Sequence, residues 1–226
     1  MSTILAIDEQ NQITETYEKV PQPKWLRWVA TFFSYLFHPL FIPVYVTLFL
    51  VIEHPYLFPG FNPWRKLTTV LQVFVNCTFL PLVSILLLLA LKFIKSIHLR
   101  TRQDRIIPYA ISMIFYFWNW YAFKNNFAPE PLVAFMLATF ITSIAGFMAN
   151  IYIKISMHTM SAGVVVAFIA GMALSESVNY TVFLSIALLI AGIVGTARLI
   201  VHGHSPTEIY AGFLVGALAQ VIAFYI

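Results

Sequence analysis

The segment Arg198-Leu-Ile-Val-His202-Gly-His204-Ser-Pro-Thr-Glu208 sets a guanidinium, an imidazole and a carboxylate at the spacing Arg-x5-His-x3-Glu. His204 and Glu208 lie four residues apart across a predicted helix start, which Ser205 or Thr207 can cap with Pro206 in the first turn. A carboxylate so placed accepts a hydrogen bond from one imidazole nitrogen and leaves the other free to attack. Lys154-Ile-Ser156-Met-His158 is a second segment of this kind. There Ser156 and the first amides of a following helix offer neutral donors at a positive helix end, which suits an anion. A third is Arg102-Gln-Asp-Arg105-Ile-Ile-Pro108, whose two guanidiniums can fork onto phosphate oxygens.

Each residue also has a purely structural reading. His204 with Glu208 makes a helix-capping pair, His158 an interfacial histidine at a helix end, and Arg198 a cation snorkelling from the end of a span. Lys92, Lys95 and Arg100 read as a solvated basic loop that touches anionic lipid. His202 beside His204 has the look of a metal pair, but no cysteine or second carboxylate stands near it, so neither a metal nor another cofactor is expected. Asn76, Asn119, Asn150 and Gln220, all inside apolar runs, read as glue between helices.

The elements that must position these residues are membrane helices. Of 226 residues 60% are hydrophobic and only 10% charged, against about 25% charged in a typical soluble domain. Several apolar runs exceed the roughly 18 residues that cross a bilayer core. The expected fold is all-α, a polytopic bundle of about seven transmembrane helices. Residues 1–23 read as a polar tail outside the membrane and 24–226 as one transmembrane helical domain. The acidic start of the tail is the reverse of a secretory signal peptide. Lys24 to Trp28 suit the headgroup layer, and the first span runs on from there to about 52; the others fall near 67–93, 106–123, 132–153, 159–174, 181–200 and 209–226. Pro39 and Pro43 predict a kink in the first, or a broken or re-entrant segment. The lone Cys77 excludes a disulfide framework, and a net charge of +4 does not suggest a nucleic-acid partner.

Seven spans sort the loops onto two faces. One face gathers Lys92, Lys95, Arg100, Arg102, Arg105, Lys154, His158, Arg198, His202, His204 and Glu208, drawn from three separate loops. The other holds an ordinary scatter of charge. By the positive-inside rule the first face is cytoplasmic.

In these three segments the chain resembles the type 2 phosphatidic acid phosphatase superfamily, whose signature is Lys-x6-Arg-Pro, then Pro-Ser-Gly-His, then Ser-Arg-x5-His-x3-Asp. The third piece matches Ala197-Arg198-x5-His204-x3-Glu208, with Ala for Ser and Glu for Asp. The second matches Ile155-Ser156-Met157-His158, and the first matches Lys95-x6-Arg102 without its proline. The resemblance covers roughly residues 95–216 and implies that superfamily's six-helix core within the bundle. It further implies a metal-independent lipid phosphatase of the bacterial inner membrane, working on a lipid phosphate through a phosphohistidine. His204 is then the nucleophile, Glu208 its orienting carboxylate and His158 the general acid. Arg198, Lys154, Ser156 and Arg102 or Arg105 hold the phosphate oxygens. Many bacterial members of the superfamily carry the site on the outer face, which conflicts with the charge rule. A phosphotransferase of the same chemistry and a non-catalytic lipid-phosphate transporter or binding protein are the competing expectations.

Overall fold

The computed structural model describes residues 3–7, 13–17, 22–94, 102–201 and 203–226; the side chains of 3–7, 13–17 and 102–105 are outside the description. Lys95, Arg100 and His202 therefore lie outside the described residues, and so do the side chains of Arg102 and Arg105. Within the N-terminal tail, β1 (Thr3–Ile7) pairs antiparallel with β2 (Ile13–Tyr17), Thr3 opposite Tyr17 and Ile7 opposite Ile13. The sequence reading had no strands here. All the remaining long elements are helices.

The expected first span is two helices. The first, α1 (Lys24–Leu36), buries Ala30 and Ser34 and leaves Trp25, Trp28, Phe32 and Tyr35 exposed. Such a one-sided helix with tryptophans and cations at its start suits the headgroup layer. The second, α2 (Ile42–Glu53), is apolar on all sides and carries Pro43 in its first turn, where the missing N–H is harmless. Between them Pro39 forbids a continuous helix.

The last four carbonyls of a helix need outside donors, and α1 finds one for each. Phe37 N donates to Phe33 O at 3.0 Å and His38 N to Tyr35 O at 3.3 Å. The Tyr45 hydroxyl donates to Leu36 O at 3.0 Å, and His158 Nε2 lies 3.0 Å from Ser34 O.

Next come α3 (Pro63–Phe74) and α4 (Leu80–Ala90), joined by a π turn at Val75–Phe79 into one run, Pro63–Ala90. Pro81 cannot donate to the carbonyl four residues back, and the wide turn absorbs that mismatch. The turn aims Thr78 Oγ1 at Leu40 O, 2.6 Å away, which ties down the α1–α2 elbow. Asn119 Nδ2 reaches Cys77 Sγ at 3.4 Å and Met136 Sδ at 3.2 Å, bridging this run to two other helices.

The bundle is completed by α5 (Arg102–Asn125), α6 (Glu130–Tyr152), α7 (Met157–Ser175), α8 (Thr181–Ile200) and α9 (Pro206–Phe224). Among the described residues five runs have the length and apolarity to cross a membrane: Pro63–Ala90, α6, α7, α8 and α9. The protein is thus a helical membrane protein. At 12 residues α2 is shorter, and α5 is rich in Tyr, Trp and Asn.

The tightest packing joins α7 to α9. A Cβ at Gly163 would strike the Phe213 carbonyl, one at Gly216 the Met160 carbonyl, and one at Gly212 would sit 2.9 Å from Ser156 O. Backbone touches backbone here. The Gly212 and Gly216 spacing predicts such a seam. At the far end of the bundle His54, 1% exposed, stacks on Tyr180 at 5.0 Å and places Nδ1 3.1 Å from the Tyr56 hydroxyl.

Replacing Gly216 with Val should cost about 1–3 kcal/mol by overpacking, read as a lower melting temperature in detergent. Gly192→Ala on α8, where the new Cβ meets nothing within 4 Å, should be neutral or stabilising. Burial holds the His54 imidazole below its ordinary 6.5, with Glu53 and Glu176 opposing. The unfolded chain therefore takes up this proton first, and stability should fall as pH drops below 6.5. His54→Phe should flatten the melting-temperature profile between pH 7.5 and 5.5.

Candidate functional site

Helix α9 starts with Ser205 as cap and Pro206 as first helical residue. Ser205 Oγ accepts from Glu208 N at 3.3 Å, and Glu208 Oε2 accepts from Ser205 N at 3.1 Å, a complete capping box. The same Oε2 lies 2.9 Å from His204 Nδ1. Lys154 O lies 2.9 Å from that nitrogen as well. Both neighbours are acceptors, so Nδ1 carries the hydrogen and, in the neutral ring, Nε2 carries the lone pair. The His204 side chain is 2% exposed, so this polarisation acts in a medium far less screening than water.

Helix α7 begins beside it. Ser156, wholly buried, caps α7 by accepting from Thr159 N at 3.4 Å, and its own N–H donates to Glu208 O at 3.4 Å. The latter bond stitches the two helix starts together, so two positive helix ends open at one place. A cap that accepts still has its hydroxyl hydrogen to donate.

His158, in the first turn of α7, gives Nε2 to Ser34 O. A carbonyl accepts only, so Nε2 bears the hydrogen and Nδ1 is the nitrogen left for proton transfer. Arg198, His38 and His204 all act electrostatically on His158. The Arg198 guanidinium, at the end of α8, lies against Gly203, where any Cβ would collide with it.

Of the residues singled out from the sequence, His204, Glu208, Ser156, His158 and Arg198 are brought to this one end of the bundle. Lys154 is also here, and its backbone carbonyl lies 2.9 Å from His204 Nδ1. The backbone of Arg102 and Arg105 opens α5, and their side chains are not placed. Among the described residues no group of three or more His, Cys, Asp or Glu could hold a metal ion.

Two participants were missed in the sequence. His38 sits in the α1–α2 elbow with its ring 5.2 Å from that of His158, edge to face. Its Nδ1 accepts from Leu40 N at 3.3 Å. The signal was there, since an ionisable residue next to Pro39 within a long apolar run is a functional pointer. Ser34 had none, because it acts through its backbone.

Two imidazoles with opposite tautomers, a guanidinium and two helix starts thus meet at one end of the bundle. Comparison with known proteins gives no match, whether by family model, by curated sequence or by solved structure. Nitrogen-15 spectra of labelled histidine near neutral pH should show the Nδ1–H form for His204 and the Nε2–H form for His158. Glu208→Ala should mix the His204 tautomers and lower stability by about 1 kcal/mol through the lost cap.

Proposed function

We propose that the protein is a membrane phosphatase that removes the phosphate from a lipid phosphomonoester or pyrophosphate without a metal, as a divergent member of the type 2 phosphatidic acid phosphatase superfamily. The observation that carries this reading is the double hold on His204 Nδ1 by Glu208 Oε2 and Lys154 O. It presents Nε2 as a nucleophile.

In this reading the Nε2 lone pair attacks phosphorus and the bond from phosphorus to the lipid oxygen breaks. The phosphate monoanion gives its proton to His158 Nδ1 on binding, the leaving oxygen takes that proton as the bond breaks, and phosphate remains on His204. Water then attacks the phosphohistidine, His158 takes its proton, and inorganic phosphate leaves. Arg198, Ser156 and the amides at the starts of α7 and α9 stabilise the charge that gathers on the phosphoryl oxygens. Glu208 steadies the cationic ring while it carries phosphate. A glutamate in place of the superfamily's aspartate is accommodated because the longer side chain closes the capping box as well.

The finer architecture belongs to the same proposal. There α2 and α5 join the five long apolar runs to make seven crossings, and the chain resides in a bacterial inner membrane. The site then lies at one membrane face, where a lipid headgroup arrives from the side. A second reading, a lipid-phosphate binding protein without turnover, draws support from Met157 in the glycine position of the motif and from the commitment of His158 Nε2 to Ser34 O.

Purified protein with chelator present should release inorganic phosphate from a panel of lipid phosphates, and His204→Ala should lower the rate by at least about 10³-fold. An acid-labile phosphoenzyme should be trapped in the wild type alone. Binding of the same lipids without release would establish the second reading instead.

A further inference from the structure

A cleft of about 270 Å³ runs down the bundle from His158, walled by α2, α7 and α8. Among its lining residues Val165 and Ile169 lie on α7, Ala187 and Ala191 on α8, and Val46 and Phe49 on α2. Three polar side chains reach the lining, and two of them are satisfied within the protein. The Tyr45 hydroxyl donates to Leu36 O and the Ser161 hydroxyl to His158 O at 2.9 Å. The third is His158, whose Nε2 is given to Ser34 O, and it stands at the end next to Arg198, His38 and His204. The cleft therefore has a polar head, with the Arg198 guanidinium near it, and an apolar body.

Its other end is shut. Phe49 and Phe183 meet edge to face at 5.0 Å, and His54 packs on both, 4.8 Å from Phe49 and 6.0 Å from Phe183. Along the side, Tyr45 of α2 and Ile186 of α8 are both exposed, so the cleft opens laterally onto the outer surface of the bundle. From His158 to Ile169, and from Val194 back to Phe183, the helices advance about 16 Å at 1.5 Å per residue. An extended alkyl chain gains roughly 1.3 Å per carbon, from an ordinary C–C bond length.

We infer that this cleft binds one straight hydrocarbon chain of the lipid phosphate, of roughly 12 to 14 carbons, with Phe183 and Phe49 as the stop that sets its length. The inference rests on the phosphate lying at His158, as in the proposed function. Selection comes from fit rather than from water exclusion, because a tail leaving the bilayer or a micelle is apolar before and after binding. Short chains leave the floor unfilled, and long ones must displace the two rings.

Dodecyl, tetradecyl, hexadecyl and octadecyl monophosphate, competing for the full-length protein in detergent, test this by native mass spectrometry. The wild type should retain dodecyl and tetradecyl phosphate about tenfold better than octadecyl phosphate, within the range expected for overpacking. Phe183→Ala should move the optimum to longer chains by about three carbons, a ring's length, and Phe183→Leu should move it the same way by less. The second variant keeps the test valid if the first fails to fold. Ala191→Phe, which fills the cleft about one turn below Val194, should abolish the preference. Equal retention of all four chains, or a ranking unmoved in both Phe183 variants, overturns the inference. So does farnesyl phosphate outcompeting dodecyl phosphate, which would assign the cleft to branched chains.

The binding readout needs no turnover. Chain ranking without phosphate release from any probe leaves the cleft standing and removes the phosphatase. Phosphate release at equal rates from every chain length, unaltered by Ala191→Phe, does the reverse.

Discussion

Backbone contact between α7 and α9 is the constraint from which the site follows. Gly163, Gly212 and Gly216 let the two helices approach until carbonyls of one lie where side chains of the other would be. Between apolar helices in lipid there is little hydrophobic gain from association, so close packing must supply it. Once the helices run in contact from their first turns, their starts lie side by side, and Ser156 N can reach Glu208 O. The imidazoles of His158 and His204 project from those starts.

A second economy lies in Glu208. One carboxylate oxygen closes the capping box of α9 and holds the His204 ring. The helix start and the orientation of the imidazole are therefore a single structure. Lys154 O takes the remaining side of the same nitrogen from the preceding loop. Two stretches of chain, 204–208 and the loop at Lys154, meet on one ring, which leaves it little rotational freedom.

Much of this was legible in the sequence, and the parts that were not share a cause. Helices α6 to α9 were visible because continuous apolar runs of membrane length have few alternatives. The juxtaposition of His204 and Glu208 was visible because four residues make one turn. The start of α9 was visible as well, since Ser205 and Pro206 mark a cap and a first turn ahead of the apolar run. The elbow after Leu36 was foreshadowed by Pro39 and Pro43, but a proline reveals a break without its direction. Apart from His38, what stayed hidden acts through backbone atoms: Ser34 O, Lys154 O, and the carbonyls against which glycines pack. A letter code names side chains and is silent about which carbonyl turns inward. The N-terminal hairpin went unread because its short strands hide in a polar stretch.

The hydrogen bond from His158 to Ser34 O has a consequence of its own. That carbonyl is one of four orphans at the end of α1, and beside apolar helices an orphan must be matched within the protein. His158 is thus the terminal fastening of the elbow as well as a member of the imidazole cluster. Deleting its ring unfastens a joint and removes a titratable group in one stroke. The two losses can be told apart only by a replacement that keeps an N–H in place without titrating, such as the amide of a glutamine.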